Sequence, residues 1–352
     1  MPRLEEPARR MATLDRRALL SAAPAGLLAA CEPRMPTTVS TTPKMDIDGL
    51  TEAVSAISVV ARPANLGVGL INLESGETFV FNGDRRFPMQ SVFKLPLAAA
   101  VLAEIDAGRA VFTEPFVLLE TQLSPAFSPI AAAWPGRRDY SLRELFEAMV
   151  IDSDNTAADV LMKRIGGPGA VTAWLAGRHV AEVRVDRYER ELQPEVYGMP
   201  SFRPDWLRGN AFQEARAAVP PATRLAAMRA YMADPRDTAT PLGMLDFLQM
   251  LDRQELITPA STRLLLQLMG RTSRGNARIK AGLPGNAFLA HRPGTSGVDQ
   301  GISTAHNDVG IFTLADRRSY ALAVFLSGAT LDDAGRDRII AEVARAAVRA
   351  AG

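Results

Sequence analysis

Strand signals occur only at the two ends of this 352-residue chain, and that separation limits how it can fold. Near the start, Leu66–Leu73 and Thr78–Asn82 flank the turn Glu74-Ser75-Gly76, a β-hairpin pattern. Asn286–His291, His306–Leu314 and Tyr320–Ser327 follow far downstream, the last two joined by Ala315-Asp316-Arg317-Arg318. Between the two sets the apolar spacing is helical, over Leu142–Ile151, Thr156–Ile165, Ala170–Ala176, Thr223–Met232, Pro241–Leu251 and Pro259–Met269. Met45–Val60 and Asp332–Ala350 add a helix at each end, the first with Asp46 or Asp48 as its cap. One antiparallel sheet built from both chain ends and flanked by helices satisfies this pattern, with an inserted all-α domain in the middle. The expected division is 45–90 with 271–352 for the α/β part and 91–270 for the helical part. A cleft between two such parts is a usual place for a ligand.

Composition narrows the function classes. The formal charge of +1 gives no electrostatic case for nucleic acid. His179, His291, His306 and a lone cysteine form no visible metal-ligand cluster. No cofactor is expected, and the chain is expected to be a monomer. Arg16-Arg17 precedes the apolar run Ala18–Ala30, which is too short to span a bilayer and reads as a secretory signal over 1–30. The paired arginines suggest the twin-arginine route. Leu28-Ala29-Ala30-Cys31 resembles a bacterial lipoprotein cleavage box, which makes Cys31 the candidate lipidated residue and the only link to a membrane; the alternative is an ordinary signal peptide whose cysteine is incidental. A Pro/Thr-rich tether over 31–44 then leads to the folded part, and a periplasmic location is expected.

The chemistry is organised around Phe87-Pro88-Met89-Gln90-Ser91-Val92-Phe93-Lys94-Leu95-Pro96, at the start of an apolar helix. Residues i and i+3 share a helix face, so the Lys94 amine can reach the Ser91 hydroxyl. A serine needs a base to become a nucleophile, and a desolvated lysine near other cations can be poised for that task. The chain holds 36 arginines and only 4 lysines, and arginine cannot serve as a base, so a lysine at this spacing stands out.

Four further stretches carry polar groups. Ser153-Asp154-Asn155 sits at a turn before a helix, where Ser153 or Asp154 can also act simply as its N-cap. Asp186 to Gln193 reads as a charged loop, Arg236-Asp237-Thr238-Ala239-Thr240-Pro241 as a helix start, and His291-Arg292-Pro293-Gly294-Thr295-Ser296-Gly297 as a strand end running into a Gly-rich turn. Together, Ser-x-x-Lys, Ser-Asp-Asn, Glu-x-x-x-Gln, Arg-Asp-Thr-x-Thr-Pro and a basic-x-Gly strand, in this order, resemble the class A serine β-lactamases, in the branch bearing insertions. The resemblance runs from about Met45 to the C-terminus and implies that family's β-lactamase/transpeptidase-like fold. It implies that Ser91 attacks the β-lactam carbonyl, that Lys94 helps take its proton, and that Ser153 relays a proton to the departing ring nitrogen. Glu189 would activate the deacylating water with Gln193 positioning it, and Asn155 would hold the side-chain amide. The backbone N–H groups of Ser91 and Thr295 would form the oxyanion hole, Phe127 a wall of the cleft, and Arg292, Gly294 and Thr295 the strand lining it. Arg278 matches a position that binds the substrate carboxylate in some members; it can equally be a surface arginine.

Three departures stand out. Arg292-Pro293 replaces the family's Lys-Thr, which loses a hydroxyl and a backbone donor. Gln193 replaces an asparagine. In the family an arginine like Arg187 pairs with an aspartate like Asp237 to close a short loop; the stretch 194–233 makes that loop much longer here, and part of it is expected to be helical. The alternatives to a β-lactam hydrolase are a D-Ala-D-Ala peptidase, though peptidoglycan enzymes generally lack the deacylating glutamate, or a non-hydrolysing penicillin-binding sensor, which the Arg292-Pro293 change and the long loop alone support.

Overall fold

The structure, a computed structural model, describes residues 44–352. Cys31, the leader and most of the tether lie outside the described residues. The chain enters through helix α1 (Ile47–Val60), whose first turn is capped by Asp46 accepting from Gly49 N. The hairpin of β1 (Asn65–Asn72) and β2 (Thr78–Phe81) follows. Next come α2 (Lys94–Asp106), α3 (Leu142–Glu147), α4 (Asn155–Arg164), α5 (Glu189–Glu195), α6 (Ala211–Ala218), α7 (Pro221–Ala233), α8 (Pro241–Asp252) and α9 (Pro259–Met269). The chain returns to the sheet with β3 (Phe288–Thr295), β4 (His306–Thr313) and β5 (Ser319–Ser327), and ends in α10 (Asp333–Ala351).

The five strands form one antiparallel sheet in the order β2-β1-β5-β4-β3. Asn65 pairs with Ser327 and Asn72 with Tyr320, so the two chain ends are joined along the whole length of β1. Both faces are buried, and the period-2 alternation sorts residues between them. Leu66, Val68 and Leu70 pack with Leu322, Val324 and Leu326 beneath α1 and α10. Ile71, Ala321, Ala323 and Phe325 face the opposite way, into a core shared with α2, α3, α4, α8 and α9. Gly67 and Gly69 make that second face possible, because a Cβ at Gly67 would lie 2.4 Å from the Phe87 ring and one at Gly69 2.9 Å from Leu245. Phe87 fills the space and stacks on Phe325 at 5.7 Å.

Helix α2 is buried from Lys94 through Leu102, with no polar face, as suits a helix surrounded by other elements. Its position in the core is what strips water from Lys94.

Three local outcomes differ from the sequence expectations. The helix expected over Leu142–Ile151 stops at Glu147 and widens into a π-turn over Ala148–Asp152, closed by Ser153 in the left-handed conformation at φ 68°. The strand expected to end at His291 continues to Thr295, because residues 291–295 pair with 306–310 of β4 in unbroken register. Pro293 is tolerated there because β3 is the edge strand, where a missing N–H need not break an inner ladder. The charged stretch expected as loop becomes α5 from Glu189 onward. Within the long stretch, α6 and α7 account for most of the chain between Asn210 and Asp234.

The stacked Phe87 and Phe325 join the sheet to the segment leading into Ser91. Phe325→Ala should therefore lower unfolding free energy by about 3–5 kcal/mol, read by urea denaturation of the whole chain. A loss below about 1 kcal/mol would show that the layers close over the gap without it.

Candidate active site

Ser91 lies in a single 3-10 turn, Gln90–Phe93, leading directly into α2. Gln90, just before it, is held at φ 47°, a region costly for a non-glycine residue and commonly kept only where surrounding contacts enforce it. Those contacts are present: Gln90 Nε2 donates to Tyr231 Oη at 2.8 Å, and its Oε1 accepts from Gln193 Nε2 at 3.1 Å.

Lys94 is the centre of the polar cluster. Its Nζ lies 3.1 Å from Ser91 Oγ, 2.9 Å from Glu189 Oε1, 2.5 Å from Asn155 Oδ1, and 3.0 and 3.3 Å from Ser153 O and Oγ. Burial lowers the Lys94 pKa; Glu189 opposes that shift and Arg292 adds to it.

Ser153 is presented by the π-turn, with Asp154 beside it as the cap of α4. The Asp154 carboxylate accepts from Ala157 N and Ile130 N, each at 2.8 Å, and from Ser128 Oγ. It thereby ties the Phe127 loop to α4. Asn155 is fastened on the other side, its Nδ2 donating to Pro125 O at 2.6 Å. Phe127 is partly exposed at the rim, with Arg274 over its ring at 3.9 Å.

Arg292 reaches in from β3, fully buried. Its Nη2 donates to Ser153 Oγ at 2.7 Å, its Nη1 to Val150 O at 3.0 Å and its Nε to Ser91 O at 2.8 Å. Burial pushes its pKa down to about 9, which leaves it charged at neutral pH. Because Ser153 Oγ accepts from both Arg292 and Lys94, its own proton is left to point elsewhere. Gly294 follows, with space for no side chain: a Cβ there would sit 2.3 Å from Met89 O. Thr295 is exposed at the end of the strand. Its Oγ1 accepts from Arg278 Nη2 at 2.6 Å. Arg278 is a buried residue, with Nη1 on Asn307 O at 2.8 Å and Nε on Asp337 Oδ1 at 2.9 Å.

Glu189 opens α5, its side chain almost without solvent contact, and Gln193 one turn later donates to its Oε2 at 2.7 Å. The base of the long loop is closed despite its length. Arg187 Nε binds Asp237 Oδ2 at 2.6 Å, and Asp237 Oδ1 accepts from Asp186 N and Arg187 N at 2.7 and 3.1 Å.

A cleft of about 370 Å³ opens over these groups. Ser91, Ser153, Asn155, Gln193, Thr295, Phe127, Arg278 and Pro293 line it. Lys94, Glu189 and Arg292 stand behind the wall, buried, while Gly294 packs against the Ser91 segment. Sequence reasoning did not single out Asp159, Gln90 and Tyr231. Asp159, buried on α4, accepts from Glu189 N at 2.7 Å, Arg190 N at 3.1 Å and Ser124 Oγ at 2.6 Å, and so fixes the start of α5. A carboxylate on an otherwise apolar helix face was the available signal. Among the described residues no group of three or more His, Cys, Asp or Glu could hold a metal ion.

The sequence profile of the β-lactamase enzyme family matches residues 49–351. β-Lactamase L2 of Stenotrophomonas maltophilia is 30% identical, over 90% of this chain and 88% of its own. An ancestral class A β-lactamase superposes with a TM-score of 0.69 at 30% identity, covering 85% of this chain and 98% of its own. The chain belongs to the class A serine β-lactamases. Within this family it is also similar to VEB-1 of Pseudomonas aeruginosa, at 29% identity over 85% of this chain and 89% of the relative. The fold of this β-lactamase agrees with the family's, an antiparallel sheet between helices.

Burial, the largest effect, raises the Asp159 pKa to about 7 against the pull of its hydrogen bond from Ser124. A carboxyl raised in this way takes up a proton on folding between its unfolded value, about 4, and the folded one. Its contribution to stability therefore falls as pH rises through that window. Asp159→Asn should flatten the decline in unfolding free energy between about pH 4 and 7, measured by denaturant titration at several pH values. Equal slopes in the two proteins would show that Asp159 titrates alike in both states.

Proposed function

We propose that this class A serine β-lactamase hydrolyses β-lactams through an acyl-enzyme on Ser91, which a water activated by Glu189 then hydrolyses. The observation that carries the reading is the Lys94 amine, 3.1 Å from Ser91 Oγ and 2.9 Å from Glu189 Oε1. Its lowered pKa makes a neutral amine more accessible than an exposed lysine would, so the Ser91 proton can pass into the Lys94–Glu189 pair as the Ser91 oxygen attacks the carbonyl carbon. The charge that develops on the carbonyl oxygen is assigned to the backbone N–H groups of Ser91 and Thr295. As the C–N bond breaks, Ser153 Oγ–H protonates the ring nitrogen and is replenished through Lys94, within 3.3 Å.

Deacylation needs a base beside the ester. Glu189 takes a proton from water, the hydroxide attacks the ester carbonyl, and Ser91 leaves as an alkoxide that recovers its proton through the same pair. Gln193 supports this role by holding Glu189 Oε2 while lining the cleft itself. The substrate's ring carboxylate is assigned to Thr295 and Arg278, and its side-chain amide to Asn155. Periplasmic export and anchoring through Cys31 belong to the same reading and rest on the leader sequence alone. Among the described residues no helix is long and apolar enough to cross a membrane.

The test mixes the protein with a chromogenic cephalosporin and follows both hydrolysis and protein mass. Steady turnover is expected, abolished in Ser91→Ala. In Glu189→Ala a stoichiometric adduct should accumulate; wild-type protein that forms the adduct without turnover would instead support a peptidase or sensor. Pro293 offers the ring carboxylate neither hydroxyl nor N–H, so Pro293→Thr should lower KM, up to about tenfold for one added charge-assisted hydrogen bond. Identical KM values would remove position 293 from carboxylate binding.

A further inference from the structure

Three arginines line the mouth of the cleft, Arg216, Arg274 and Arg278, and they are not equivalent. Arg278 is fastened to Asp337, Asn307 and Thr295. Arg274 donates to Asp152 O at 2.8 Å and covers the Phe127 ring. Arg216 comes from α6, inside the stretch that lengthens the Glu189 loop. Its guanidinium rests 5.0 Å from the Tyr197 ring centre. The carboxylate within ion-pair reach, Asp299, is 3.9 Å from Arg216 Nε and is already held by Arg224 at 2.8 Å. Arg216 is therefore a cation at a cleft wall, partly hydrated, whose nearby counter-charge is spent on another arginine.

Its place along the cleft indicates what it can meet. Tyr197 stands one turn beyond Gln193 on the same winding of chain, and Gly297 lies two residues beyond Thr295. The two converge there: a Cβ at Gly297 would be 2.7 Å from Tyr197 Oη and 3.7 Å from Arg216 Nη1. In the acyl-enzyme described above, the ring carboxylate goes to Arg278 and the leaving nitrogen to Ser153. With the side-chain amide assigned to Asn155, the part of the cleft left for the rest of the acylamino arm is the one lined by Gln193, Tyr197, Arg216 and Gly297.

We infer that Arg216 receives a carboxylate carried at the end of the substrate's acylamino side chain, so that β-lactams with such an acidic arm are favoured over their neutral counterparts. This rests on the acyl-enzyme reading of the same cleft. A carboxylate there would gain a charge-assisted hydrogen bond from a guanidinium already held 5.0 Å from the Tyr197 ring centre.

The test compares two cephalosporins identical except for a methoxyimino or a carboxymethoxyimino side chain, with benzylpenicillin as the activity control. Arg216→Gln should lower kcat/KM for the carboxylate-bearing substrate about tenfold more than for its neutral partner, mainly through KM. Arg216→Lys should recover part of that difference, and high salt should narrow the wild-type preference. An equal change for both cephalosporins, or none for either, overturns the role of Arg216 while benzylpenicillin turnover persists. Loss of all turnover in the wild-type protein overturns the hydrolase reading instead, and the subsite with it.

Discussion

Glu189 and Lys94 face each other at 2.9 Å with almost none of either side chain in contact with water. Removing two charges from solvent is costly, and their attraction offsets the cost only where geometry is good and the remaining hydrogen-bonding capacity is used. Much of the surrounding structure meets that condition. Asn155, Ser153 and Ser91 accept from the ammonium, and Gln193 donates to the second carboxylate oxygen. Arg292 brings a second buried cation, spread over Ser91 O, Val150 O and Ser153 Oγ. A cluster of this kind has few alternative arrangements. Leaving any member unpaired in a water-excluding interior is more costly than the pairing itself is beneficial.

The lengthened loop is compatible with this cluster because it is anchored on both sides of Glu189. Below, Arg187 and Asp237 close the base, so the residues between 194 and 236 leave and return at nearly the same place. Above, Tyr231 of α7 holds Gln90, which holds Gln193. Asp159 fixes the first turn of α5 from a third direction. The added chain has its own small core, in which Phe212, Met228 and Tyr231 pack with Leu192 and Val196 of the original loop. The insertion thus behaves as a packed layer over α5.

How much of this could be read in advance depended on distance along the chain. That the two chain ends share one sheet follows from the strand signals at both ends, and the Ser91–Lys94 approach from local helical spacing. Asp154 as a cap, and the Arg187–Asp237 closure, were also legible, the first from local spacing and the second from the family resemblance. The continuation of β3 through Pro293 to Thr295 was legible only from the family resemblance, because proline and glycine by themselves read as a turn until β4 supplies a partner register. Asp159, Gln90 and Tyr231 were missed for a similar reason. Each forms its decisive contact with a residue 30 or more positions away, or more than a hundred in the cases of Tyr231 and Gln193 on Gln90. Nothing in their immediate neighbours records that contact.

The hydrogen bond from Arg292 to the carbonyl of Ser91 spans 201 positions of sequence. Gly294 seats the same strand against the turn that carries Ser91, and Asn307 of β4 donates to Pro88 O and Met89 O just upstream. Ser91 and α2 belong to the N-terminal half of the chain, yet the wall that faces that serine is supplied by the last strands. Loop closures this long are among the slower events of folding. A growing or partly folded chain therefore carries its nucleophile without the surroundings that make it reactive, and chemical competence becomes a late reporter of a completed fold.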